Sequence, residues 1–388
     1  MIKVVRNGTL FAPKRLKDND LLIIGSKIGW VGQDLHPPAA APVPVQIIDA
    51  GGMYIFPGFI DAHVHIAGGG GEGGFRTRTP EITLSSLVRG GITTVIGCLG
   101  TDGITRSVES LYAKARGLTE EGISAYILSG SYRVPTTTVT GDPMKDLMFL
   151  DLVVGTGEIA IADHRSSQPT LEEVRHLAAA VRVGGILSGK AGVVNVHLGD
   201  GEGGLAMLEE IVATTELPYS QFLPTHVNRN ERVFAEAVAY ALKGGYIDLT
   251  AGAVDATNLL AAHHALKRCL EQGVPPERIT LTSDGQGSLP EFDDKGEFIR
   301  LGVGQVGSLM ETVRDAVLGE GIELETALRT VTCNPAERYK LTGKGRLLAG
   351  CDADLIFVNP KDFRVATVIA KGEVLMLDHQ VKAKGTFE

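Results

Sequence analysis

The sequence predicts an α/β fold: a (β/α)8 TIM barrel carrying a small β-sandwich built from both ends of the chain. Three observations predict it. From residue 57 to 343, short runs rich in Val and Ile alternate with stretches of helical period, the pattern of parallel βαβ units. Eight such runs occur, and eight parallel strands each followed by a helix close into a barrel. Residues 1–56 and 344–388 lack helical periodicity and read as short strands between turn signals.

At the N-terminal end the strand candidates are IKVVRNGTLF, DLLIIGSKIGWVG and VQIIDAGGMYIF, the last two separated by the Pro- and Ala-rich HPPAAAPVPV. DADLIFVN, ATVIAKGEVLML and QVKAKGTF repeat that texture in the tail. Two separate modules of this size would each be too small for a secure core, so the ends are expected to pair in space. Barrel strands are expected to end at His65, Leu99, Ser129, near Ile161, and at Leu198, Asn228, Thr250 and Asp284. Helical patterns fill the gaps, among them LEEVRHLAAAVRV, GGLAMLEEIVATT, ERVFAEAVAYALKGG and TNLLAAHHALKRCLEQG, several closing on glycine as a helix C-terminus should. An open doubly wound sheet would want a phosphate loop after its first strand; GGGGEGG stands there without a GK[ST] continuation.

The 388 residues carry 37 basic and 46 acidic groups, a net charge of −9, which argues against a nucleic-acid surface. No stretch approaches the roughly 18 apolar residues of a membrane span. MIKVVRNGTLF alternates like a strand and lacks the features of a signal peptide. Cys98, Cys269, Cys333 and Cys351 lie far apart with no CxxC spacing, which reads as buried thiols in a cytoplasmic protein.

The chemistry gathers at the strand ends. Alternate residues of a strand share a face, so His63 and His65 can serve one metal ion. Four glycines follow at 68–71, where backbone can pass close to a ligand, and Glu72 stands at their far end. His197 ends strand five, His226 strand six and Asp284 strand eight, all on the face where barrel chemistry sits. Imidazoles and carboxylates converging there point to a divalent metal. His36 and His379 fall in the peripheral strands and His176, His263 and His264 on helices, where surface or packing roles are expected; His164 lies in the loop after strand four.

The segments PGFIDAHVHIAGGGGEGG, LGTDGITR, SGSYRVPTTTVTG, ADHRSSQP, VNVHLGD, LPTHVNRN, TSDGQGSLP, LTGKGRLLAGCDADL and VKAKGTFE carry a further signal. Through them essentially the whole chain resembles the isoaspartyl dipeptidase family, zinc peptidases of the amidohydrolase superfamily. The resemblance implies two Zn2+ ions per subunit, one held by His63, His65 and Asp284, the other by His197 and His226, with a bridging hydroxide as nucleophile. It also implies that Asp284 is the general acid/base and that Tyr132 donates to the oxyanion. Glu72 would take the substrate ammonium, Arg165 and Arg229 its carboxylates, and Thr101 and Ser288 would add neutral hydrogen bonds. The implied substrate is a small β-aspartyl dipeptide, and the implied assembly a homo-oligomer, an octamer among the forms it allows. Two competing readings stand beside it: an amidohydrolase acting on cyclic amides or N-acyl amino acids, and a non-catalytic scaffold with the same barrel.

The chain departs from the family pattern at strand four. A lysine carboxylated on its side-chain nitrogen commonly bridges the metals there; this sequence offers Glu158, of equal charge but three bonds shorter, a deficit of roughly 3–4 Å. Gly155 and Gly157 just before it suggest a bulged strand that leans inward. The expectation is that Glu158 bridges two zinc ions directly; the competing one is that it binds one metal or none.

Overall fold

The computed structural model describes residues 1–16, 20–35, 44–252, 260–292 and 298–388. His36 and most of the Pro- and Ala-rich stretch lie outside them, as do residues 257–259 of the seventh helical pattern. Eight strands form the barrel: β1 (Phe59–Val64), β2 (Ile92–Gly97), β3 (Ser124–Ser129), β4 (Val153–Ile161), β5 (Val193–Leu198), β6 (Phe222–Thr225), β7 (Ile247–Thr250) and β8 (Ile279–Thr282). The first six pair in chain order and in parallel. β7 pairs with β8, again in parallel. Two seams close the ring. At one, His65 N–H donates to Gly285 O at 2.8 Å beside a parallel bridge between Val64 and Gly285. At the other, Val227 N–H donates to Asp248 O at 3.4 Å.

A helix follows every strand: Leu84–Arg89, Val108–Glu120, Pro143–Phe149, Leu171–Ser188, Ala206–Thr214, Glu231–Leu242, Ala262–Glu271 and Ser308–Leu318. Their starts are set locally. Thr83, Ser107, Asp142 and Asn230 each accept a hydrogen bond from a first-turn amide, and Thr170 with Glu173 forms a capping box. Apart from half-buried Tyr126 in β3, all eight strands are buried along their whole length, which is why they read as near-continuous apolar runs. Phe59, Val95, Ile127, Leu177, Val196, Phe234 and Leu249 belong to one core shared by strands and helices.

The ends of the chain form two sheets. One is ordered Lys27–Gly32, Asp20–Ile24, Ile2–Arg6, Val45–Asp49, all from the N-terminal end. In the other, Thr9–Leu10 and Tyr54–Pro57 join Leu355–Val358, Val365–Ala370, Glu373–Leu377 and Gln380–Val381. Val5, Leu21, Ile23 and Ile48 of the first pack with Leu10, Ile55, Leu355, Phe357 and Ile369 of the second. The two ends therefore share a core, but the tail contributes to only one layer.

Two details depart from expectation. A hairpin, Ser288–Phe292 with Phe298–Val303, separates β8 from its helix. Cys351 is only partly buried, unlike the other three free thiols. Among the described residues no helix is long and apolar enough to cross a membrane.

Candidate active site

The candidate ligands meet at the carboxyl ends of the strands. His63 is on β1 and His65 follows it; His197 is on β5; His226 comes directly after β6, and Asp284 two residues after β8. His226 and Asp284 both adopt left-handed backbone, with φ of 62° and 52°. That conformation is uncommon for residues other than glycine and is held where surrounding structure demands it.

Glu158 lies at the centre and is fully buried. Its strand changes register between Thr156 and Ile159. Gly157 there has φ 143°, and a Cβ on it would sit 2.5 Å from Asn195 O, so the bulge needs glycine. The bulge aims the short side chain inward. Oε1 of Glu158 is 2.7 Å from His197 Nδ1 and 3.0 Å from His226 Nε2. Oε2 is 3.4 Å from His63 Nε2 and 4.0 Å from His65 Nε2. Asp284 Oδ1 stands 3.1 Å from His65 Nε2 and 3.9 Å from His63 Nε2. One carboxylate thus faces two histidine pairs, with a second carboxylate over the first pair.

Several buried atoms in this cluster have no hydrogen-bond partner among the described residues: both ring nitrogens of His63, Oε2 of Glu158 and Oδ1 of Asp284. Buried polar atoms left so cost about 1–3 kcal/mol each. A cation held between them would take up His63 Nε2, Glu158 Oε2 and Asp284 Oδ1, and N/O donor sets of this kind suit a divalent ion. Two donor groups have metal-ligand spacing here, His63–His65–Cys98–Glu158 and Glu158–His197–His226. Burial pushes the Glu158 carboxyl up, but the charges of His63 and His197 and the hydrogen bonds of His197 and His226 hold it well below the usual carboxylate range. Burial pushes the His226 imidazole down to about 4, so its nitrogens are neutral at pH 7.

Around this centre stand the residues expected to meet substrate. Tyr132 is nearly buried, with its hydroxyl 2.8 Å from His197 Nδ1. Burial and then the Glu158 charge raise its phenol well above the ordinary value, so it stays a donor. Glu72 is carried in by the glycine run, where Gly70 has φ 70° and a Cβ would meet Thr77 O at 2.5 Å. Thr101 Oγ1 donates to Glu72 Oε1 at 3.1 Å and Ser288 Oγ to Oε2 at 3.0 Å. Arg165 Nη1 is 3.6 Å from Glu72 Oε1, and its guanidinium lies 5.5 Å over the Tyr132 ring. Arg229 donates from Nε to Leu198 O at 3.2 Å, and its charge lowers the Tyr132 phenol against that burial.

Sequence reading missed four partners of these groups. Asp163 is 2.9 Å from His197 Nε2, Thr250 Oγ1 is 2.8 Å from His226 Nδ1, and Cys98 Sγ is 3.9 Å from His65 Nδ1. Asp61, fully buried, accepts from the His63 backbone N–H at 3.5 Å and from Ser283 N–H at 3.2 Å. A Cys or Asp at a strand end is a weak signal alone; only convergence marks it. His164, in the same loop as Asp163, is 87% exposed.

A model of the amidohydrolase family matches residues 54–375. The chain belongs to that family. Within it, the chain is similar to the crystal structure of a β-aspartyl dipeptidase from the thermophilic, keratin-degrading Fervidobacterium islandicum AW-1 in complex with the β-Asp-Leu dipeptide. The two are 46% identical, with a TM-score of 0.92 over 98% of each chain. A second structure of β-aspartyl dipeptidase from the same organism is 44% identical, with a TM-score of 0.90 over 98% of this chain and 99% of that one. A dihydroorotase of Staphylococcus aureus is 32% identical over 162 residues, 42% of this chain; the match spans only about a third (35%) of that relative's length. A dihydropyrimidinase from Brevibacillus agri NCHU1002 shares the amidohydrolase fold at 18% identity, with a TM-score of 0.69 over 99% of this chain and 97% of that one.

Proposed function

We propose that this amidohydrolase is a metal-dependent dipeptidase that hydrolyses β-aspartyl (isoaspartyl) peptides. The observation that carries the reading is the mouth of the barrel, where an acidic group, Glu72, and a basic group, Arg165, lie 3.6 Å apart beside the histidine cluster. A small zwitterion, with ammonium and carboxylates close to the bond to be cut, matches that pairing. Likeness to a dipeptidase structure containing β-Asp-Leu supports the same substrate.

In this reading Glu158 would hold metal together with His63, His65 and Asp284 at one position and with His197 and His226 at a second. Zinc in such a pair would polarise the scissile carbonyl and lower the pKa of a water molecule. Asp284 takes the proton from the attacking water and returns it to the leaving amine. Tyr132 donates to the oxygen on which negative charge develops. Glu72, aided by Thr101 and Ser288, binds the ammonium, while Arg165 and Arg229 bind carboxylates through charge-assisted hydrogen bonds.

The wider proposal is a cytoplasmic homo-oligomer, with residues 57–343 as the catalytic barrel and 1–56 and 344–388 as the sandwich. Four unpaired thiols support the compartment, and exposed Phe149, Ile186 and Leu187 support self-association.

The test is hydrolysis of β-aspartyl-leucine by metal-stripped protein as zinc is returned stepwise. Activity that plateaus near about two equivalents supports the reading. A plateau near about one removes Glu158 from the bridging role. No activity at any ratio, with a cyclic amide cleaved instead, moves the chain to the cyclic-amide hydrolases.

A further inference from the structure

Asp163 lies two residues past β4 and is 6% exposed. Both of its oxygens are engaged. Oδ1 accepts from the Arg165 backbone N–H at 2.7 Å and from Arg165 Nε at 3.0 Å. Oδ2 accepts from Arg165 Nη2 at 2.8 Å and lies 2.9 Å from His197 Nε2. Its carbonyl accepts from Ser166 N–H at 3.1 Å and Gln168 Nε2 at 3.0 Å, which pins the turn.

Two consequences follow from this geometry. An imidazole that gives its Nε2–H to a carboxylate keeps its lone pair on Nδ1. In His197 that Nδ1 is the nitrogen turned toward Glu158 Oε1, at 2.7 Å. Two other centre-facing histidines have weaker partners behind them, the hydroxyl of Thr250 for His226 and the thiol of Cys98 for His65, and the ring of His63 has no hydrogen-bond partner among the described residues. Among the described residues, Asp163 is the only carboxylate placed behind one of these rings. The same carboxylate grips Arg165 by Nε and Nη2, so Nη1 is the arm left to face Glu72 at the mouth.

We infer that Asp163 is a positioning residue that sets two parts of the site at once: the metal-accepting tautomer of His197 and the direction of the Arg165 guanidinium. The second part rests on the dipeptidase reading; the first does not. A neutral side chain at 163 would free His197 to place its proton on Nδ1 and would let Arg165 swing.

The experiment compares the parent chain with Asp163→Asn and Arg165→Met. Zinc affinity of the metal-stripped proteins is measured by competition with a chromophoric chelator, and kcat and KM are measured separately with β-aspartyl-leucine. In Asp163→Asn one zinc equivalent should weaken by about 10–100-fold while the other is unchanged, the loss typical of removing a carboxylate behind a metal-bound histidine. KM should rise as well. Arg165 Nη2 also stands 3.2 Å from His197 Nε2, so Arg165→Met should raise KM and weaken the same zinc equivalent less than Asp163→Asn does, which separates positioning of the histidine by the carboxylate from loss of the guanidinium. If Asp163→Asn does not fold, Asp163→Glu keeps the charge but displaces it by one methylene, and the same selective weakening is expected. Two zinc equivalents held as tightly as in the parent overturn the role at His197. An unchanged KM overturns the role at Arg165. A parent chain that binds zinc but leaves β-aspartyl-leucine intact overturns the dipeptidase reading without touching the zinc result.

Discussion

Oε1 of Glu158 lies 2.7 Å from Nδ1 of His197, on a strand whose register slips between Thr156 and Ile159. The slip offsets the short reach of glutamate at a place where a carboxylated lysine is commonly found in this family. Its opposite oxygen, 3.4 Å from His63 Nε2, lies free of hydrogen bonds among the described residues.

Glu158→Gln removes the charge while keeping the shape. Bound zinc, measured by elemental analysis, should fall from about two per chain to one or fewer. Recovery of the stripped parent enzyme with zinc should be the same with and without bicarbonate, because no carbamate has to form. Bicarbonate-dependent recovery would falsify the direct glutamate bridge.

Glu72→Gln should raise KM for β-aspartyl-leucine by roughly 10–100-fold, the loss of one hydrogen bond to a charged group being about 1.5–3 kcal/mol. The N-acetylated peptide, which has no ammonium, should be cleaved equally by parent and variant. Equal penalties on both peptides would place the ammonium elsewhere.

Tyr132→Phe should lower kcat by about 10²–10³-fold, the usual effect of deleting one oxyanion donor, with zinc content unchanged. Because burial raises the phenol well above its ordinary 10.0, the parent enzyme should show no alkaline loss of kcat assignable to Tyr132 below that pH. A kcat within a few-fold of the parent would remove Tyr132 from the chemistry.

Lys344 joins the tail to the barrel: its ammonium is 2.6 Å from Asp354 Oδ2, 2.7 Å from Asp352 Oδ2 and 2.6 Å from Ser124 Oγ, and the residue is 5% exposed. Lys344→Met leaves the buried Asp354 without its ion-pair partner, while Asp352 keeps Lys27, and should cost about 3–5 kcal/mol in denaturant unfolding at neutral pH. Burial pushes the ammonium down, but Asp354 and Asp352 together hold it above its ordinary 10.5. The proton is then bound more tightly in the folded than in the unfolded chain. This contribution is therefore complete below the unfolded value and is lost as pH rises through the folded one. Parent and variant should converge in stability at strongly alkaline pH.

Much of this protein was legible residue by residue. Strand and helix alternation depends on local period and caps, such as Thr170 with Glu173. The pairing of His63 with His65 depends only on the two-residue repeat of a strand. Barrel topology then sends every strand end to one face, so the sequence alone groups His197, His226 and Asp284. Less visible were features that need two distant segments at a set separation. The hairpin after β8, which brings Ser288 to Glu72, is one; the distribution of the tail into a single sandwich layer is another.

What the sequence by itself determined is the barrel, its order of strands and the four histidines and Asp284 at the strand ends, because each follows from short-range pattern; Tyr132, Arg165, Arg229, Thr101 and Ser288 were legible only through resemblance to a family. Only the tertiary structure decided how they meet. The slip in β4 delivers Glu158 between two histidine pairs, and the pairing of β4 with β5 together with the turn after β4 sets Asp163 behind His197 and against Arg165. The physical reason is that hydrogen bonds and metal ligation are settled over tenths of an ångström, by bulges, rotamers and seams that no local pattern encodes.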